Sequence, residues 1–115
     1  MEALFVYGTL MREGGAHHLL KGARFLGEGR TGPGYTLLDC GAWPALVERG
    51  HRAIWGEVYL VDAACFPALD AYEDAPELYQ RVQRPVAPFG EVWVYLAPVD
   101  RAPWPSIERD RWKQP

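Results

Sequence analysis

The sequence holds one serine, Ser106, two cysteines and two lysines, and each scarcity argues against a class of function. Ser106 sits in a proline-rich stretch ahead of a candidate helical turn, where a helix N-cap is its better reading, so a serine hydrolase finds no nucleophile. Cys40 and Cys65 are too few for a disulfide framework and read as two buried thiols. Neither has an activating neighbour in the sequence, which argues against a nucleophilic pair with His51. His17 and His18 are adjacent and do not share a helix face, so no metal-ligand spacing emerges and no metal is expected. Twelve Lys and Arg face fifteen Asp and Glu, the net charge is −3, and the arginines are scattered. That distribution argues against nucleic acid as a partner, and no run of like charge suggests a membrane-binding tail. The apolar start Ala3 to Val6 follows an acidic Glu2 and is too short for a signal peptide or a membrane span. The chain reads as cytoplasmic.

What is abundant is glycine, proline and aromatic residues. Twelve Gly and ten Pro punctuate regular structure too often for a helical bundle, so many short elements joined by turns are expected. With 49% hydrophobic and 13% aromatic residues, a chain of this length can still bury a core, and residues 1–115 read as a single domain. Ala3 to Tyr7 is a continuous apolar run of strand formers ending at Gly8, as a strand in mid-sheet would be. Ala16 to Leu20 can form a turn or two of helix closed by Gly22. Short strands are predicted at 23–26, 35–40, 45–48, 53–61, 81–87 and 91–97. The clearest period-two stretch is 53–61, and Pro88 to Gly90 forms a hairpin turn between the last two. Asp62 offers an N-cap and Pro67 fits a first turn, placing a helix from about Ala64 or Phe66 to Asp74, with Pro76 ending it. Residues 99–115, with Trp104, Trp112 and three prolines, look like a tail lying over the domain.

Gly27, Gly29 and Gly32 spell a dinucleotide-binding glycine pattern, but Pro33 and Gly34 follow where a helix should begin, so they are read as turn glycines. Two other places carry more chemistry. At Tyr7-Gly8-Thr9-Leu10 a buried strand hands the chain to a loop whose successive N–H groups either form an anion-binding nest or make a plain turn. Glu73 lies four residues after Leu69 and seven after Phe66, so a helix directs it along their core-facing stripe. Buried, its carboxyl would titrate higher and serve as a general acid/base; at a helix end, it can equally tip into solvent.

Phe5-Val6-Tyr7-Gly8-Thr9-Leu10, Leu69-Asp70-Ala71-Tyr72-Glu73 and Tyr79-Gln80-Arg81 together resemble the γ-glutamylcyclotransferase-like superfamily, its small AIG2-like branch in particular. Gly41-Ala42-Trp43-Pro44-Ala45 and Ile54-Trp55-Gly56-Glu57-Val58-Tyr59 extend the resemblance over most of the chain. It implies an α+β fold: a mixed, mainly antiparallel β-barrel of short strands flanked by a few short helices, with a cavity where the loop after the first strand meets the helix bearing the glutamate. It also implies cleavage of a γ-glutamyl amine or small γ-glutamyl peptide by attack of the substrate's own α-amine on its γ-carbonyl, releasing 5-oxoproline and the free amine. Glu73 would move the protons, Tyr7, Gly8, Thr9 and Leu10 would hold the glutamyl group, and no cofactor is called for. Tyr79 and Arg81 match the family pattern as substrate-binding residues, although Arg81 can instead pair with Asp70 or Glu73. Asp74 stands where the family commonly has a small residue, and Trp43 replaces a usual Tyr. A competing reading keeps the cavity but only binds a γ-glutamyl or other anionic metabolite. The leaving amine and the oligomeric state are not legible here.

Overall fold

The computed structural model describes residues 1–73, 75, 78–99 and 104–114. Among them are strands β1 (Glu2–Val6), β2 (Arg24–Thr31), β3 (Tyr35–Asp39), β4 (Pro44–Arg52), β5 (Trp55–Val61), β6 (Gln80–Ala87), β7 (Gly90–Leu96) and β8 (Ser106–Ile107), and helix α1 (Phe66–Tyr72). Strands β1, β5, β2, β6 and β7 close in that order into a barrel. Every pairing in it is antiparallel except that of β1 with β7, where Leu4 lies beside Trp93. Closure leaves these strands no free edge. The fold is thus the expected mixed barrel with little helix.

The apolar start of the chain sits in mid-sheet, with Leu4 and Phe5 fully buried. Burying such side chains contributes about 1.5–3 kcal/mol each. Strand β5, the clearest period-two stretch of the sequence, is buried on both faces over Gly56, Glu57, Val58 and Tyr59. One face fills the barrel. The segment between β1 and β2 covers the other: the Arg12 N–H donates to Glu57 Oε1 at 2.9 Å, and the His17 ring lies 5.6 Å from Tyr59.

Three expectations are corrected. Gly27 and Gly29 are not turn residues but lie in β2, where the register with β5 slips between Phe25 and Gly27. A Cβ on Gly29 would lie 2.6 Å from the Val86 side chain, so cross-strand packing excludes one. Ser106 caps no helix; it pairs with Leu38 in β8, which lines the edge of β3 in a second sheet ordered β4-β3-β8. Cys40 and Cys65 are free but half-buried. The two sheets join where the Ala97 N–H donates to the Leu46 carbonyl at 2.9 Å. The chain's end lies against the barrel, with the Trp55 N–H donating to the Asp110 carbonyl and Trp112 only 7% exposed. No helix among the described residues is long and apolar enough to cross a membrane.

Candidate active site

Glu73 is set by α1. Asp62 accepts the Ala64 N–H at 3.0 Å and caps a short 3₁₀ turn that runs into the helix, whose first turn holds Pro67. Phe66 and Leu69 face the core, and Glu73 follows on the same stripe as the C-cap, its N–H donating to the Leu69 carbonyl at 2.9 Å. Burial, with no described residue donating to the carboxylate, pushes the Glu73 carboxyl up to about 7. The helix ends at Tyr72; Asp74 and Pro76, expected beside the glutamate and at the helix end, lie outside the described residues.

Asp70, one turn earlier, fixes the helix to the barrel. Its carboxylate accepts Arg81 Nε at 2.9 Å and the Tyr95 hydroxyl at 2.6 Å. Burial raises the Asp70 carboxyl, but these hydrogen bonds and the Arg81 charge outweigh it and hold it below its ordinary value. The Arg81 guanidinium also lies 3.9 Å from the Phe66 ring centroid and 4.7 Å from that of Trp93. Expected among the substrate-binding residues, Arg81 is instead outside the cavity and committed to Asp70.

The loop after β1 faces the end of α1. Gly8 is pressed on the Pro44 ring, 2.8 Å from where its Cβ would stand, so only glycine fits. Its carbonyl accepts the Met11 N–H at 3.0 Å, and that of Thr9 accepts the Ala16 N–H at 3.0 Å. The Thr9 and Tyr72 hydroxyls bond at 2.8 Å, joining loop to helix. The N–H groups of Gly8, Thr9 and Leu10 meet no acceptor among the described residues.

Between loop and helix lies a cavity of about 200 Å³. Tyr7, Gly8, Thr9, Leu10, Glu73 and Tyr79 all line it, so six of the seven residues singled out in the sequence come together. Trp43, Pro44, Tyr72 and Tyr95 are also part of the wall, and no described lining residue is Lys, Arg or His. The hydroxyls of Tyr7, Tyr79 and Tyr95 are spent on the frame, donating to the Tyr95 carbonyl, the Pro44 carbonyl and Asp70. Burial raises the titration of all three, so they stay neutral. Among the described residues the loop N–H groups have no acceptor, and they share the cavity with one carboxyl group.

Tyr72 was missed because it is adjacent to Glu73 and so points to another side of the helix; only the barrel brings Thr9 up to it. Pro44 entered only within the segment that extends the family resemblance, yet its ring shapes Gly8 and its carbonyl holds Tyr79. Of the alternatives set aside, burial and then Asp39 push the Cys40 thiol up to about 11, the opposite of nucleophile activation. His17 Nδ1 is engaged with the Leu10 carbonyl at 2.9 Å, and His51 is exposed on β4.

A small closed barrel with a carboxyl-bearing cavity at the end of its first strand defines a class, and comparison with known proteins names it. Residues 4–114 match the family described as "Gamma-glutamyl cyclotransferase, AIG2-like". The chain belongs to that family. A Vibrio cholerae protein carrying a γ-glutamylcyclotransferase name is 45% identical over 93 residues, 81% of this chain and 79% of that one. The human protein named "Gamma-glutamylaminecyclotransferase" is 38% identical over 90 residues, 70% of this chain and 59% of its own length. The crystal structure of an AIG2-like protein from Mus musculus superposes with a TM-score of 0.83 at 30% identity, covering 98% of this chain and 88% of that one.

Proposed function

We propose that this chain cleaves a γ-glutamyl amine or small γ-glutamyl peptide by intramolecular cyclisation. The substrate's α-amine attacks its γ-carbonyl carbon, the C–N bond to the leaving amine breaks, and 5-oxoproline and the free amine depart. One proton leaves the attacking nitrogen and one reaches the leaving nitrogen, so a single carboxyl can serve both steps in turn. The carrying observation is Glu73, raised to about 7 by burial in a cavity it shares with the Tyr7–Leu10 loop. Near neutral pH such a group is populated in both its basic and its acidic form. The N–H groups of Gly8, Thr9 and Leu10 hold the glutamyl carboxylate and the oxygen that gains charge as the γ-carbonyl is attacked. Because the nucleophile belongs to the substrate, the protein's task is to fold the glutamyl chain into a reactive conformer and move protons. The names of the relatives agree with this chemistry.

Glu73→Gln keeps size and loses the titrating group. Incubated with a panel of γ-glutamyl amines and dipeptides, this variant is expected to release 5-oxoproline ~10²–10⁴-fold more slowly than wild type. It should still bind those substrates by calorimetry. Near wild-type turnover would remove Glu73 from the mechanism, and binding without product by wild type across the panel would make the chain a binding module.

A further inference from the structure

The Gly8 carbonyl receives two hydrogen bonds, both from residues outside the cavity lining. One comes from the Met11 N–H at 3.0 Å; the other comes from the C-terminal segment, where Gln114 Nε2 donates at 3.0 Å. That segment is anchored beforehand: Trp112 is buried, the Asp110 carbonyl takes the Trp55 N–H at 2.7 Å, and Arg111 pairs with Glu28. Gln114 therefore reaches Gly8 from a fixed support.

The same peptide unit that offers the Gly8 carbonyl carries the Thr9 N–H, one of the three loop donors that meet no acceptor among the described residues. Hydrogen bonds to a peptide carbonyl draw electron density towards oxygen and make the N–H of that unit a stronger donor, by ~10–30% for each bond in a chain. They also fix the plane of the unit, and with it the direction of the N–H. We infer that Gln114 is a positioning residue: by donating to the Gly8 carbonyl it orients and polarises the Gly8–Thr9 peptide so that the Thr9 N–H binds the charge developing on substrate. This role rests on the cyclisation proposed above, but the polarisation itself can be read without any substrate.

Three variants separate donation from packing. Gln114→Glu is nearly isosteric and, ionised, has no proton to give; Gln114→Ala removes the group; Gln114→Lys restores a donor of another shape. Losing a whole oxyanion donor costs ~10²–10³-fold, so weakening one is expected to lower kcat/KM ~3–10-fold in Gln114→Ala. Gln114→Glu should be lower still, and Gln114→Lys should recover at least half of the loss, all at closely similar melting temperature. In the ligand-free proteins the Thr9 amide proton should move upfield in Gln114→Ala and Gln114→Glu by NMR. An unmoved Thr9 proton, or a Gln114→Glu variant as active as wild type, overturns the assignment. A shifted proton in a protein that makes no 5-oxoproline leaves the polarisation standing and overturns the cyclisation.

Discussion

At the scale of single residues, Glu73 has a consequence for stability as well as for catalysis. Its carboxyl titrates near 4.5 in an unfolded chain and at about 7 in the folded protein. The folded state therefore favours the protonated form, which costs nothing below the unfolded value and destabilises progressively as pH rises through 7. At 1.36 kcal/mol per pH unit the full penalty is of order 3 kcal/mol. Glu73→Gln should accordingly raise the melting temperature at pH 8 and change it little at pH 4; a gain independent of pH would place the carboxylate in solvent. Wild-type kcat/KM should fall as pH is lowered through about 7, as the basic form is lost. The stripe that carries Glu73 inward was legible from Phe66 and Leu69, because helix periodicity is local. That Asp70 rather than Glu73 takes Arg81, and the Tyr95 hydroxyl with it, was not, since Asp70 is eleven residues away and Tyr95 lies on another strand.

Among elements, the tie between α1 and the β6–β7 hairpin decides where the carboxyl group stands. Asp70 and Arg81 are each less than a third exposed, and Arg81 stacks on Phe66 of the helix and Trp93 of β7. Arg81→Met keeps much of the stem and removes the charge, leaving Asp70 with the Tyr95 hydroxyl alone. A stability loss of ~1–3 kcal/mol is expected by denaturant unfolding, with a coupling to Asp70→Asn in a double-mutant cycle. Because the helix then has more freedom, kcat should drop several-fold and KM less. Equal activity would mean that the loop, through Thr9 and Tyr72, suffices to hold the helix. Element types were mostly readable, as with the apolar β1 and the alternating β7. Boundaries were not: β2 and β4 run through glycines that the sequence presents as breaks, because neighbouring strands supply the pairing and occupy the space a side chain would need.

For the whole molecule, the barrel that brings β1, α1 and the β3–β4 turn to one cavity follows from pairings such as Leu4 with Trp93, remote in sequence and visible beforehand only through family resemblance. One property of that cavity reaches beyond its walls. Its described lining has no cation, and the chain carries a net charge of −3. The α-carboxylate of a γ-glutamyl substrate approaching it is drawn by no opposite field, and backbone dipoles take hold only at contact. Ionic strength, which shortens electrostatic reach from ~30 Å at 0.01 M to ~3 Å at 1 M, then has little attraction to screen. Turnover at limiting substrate should stay level, or climb slightly, as sodium chloride is added, whereas an arginine-lined pocket would lose substrate to the salt.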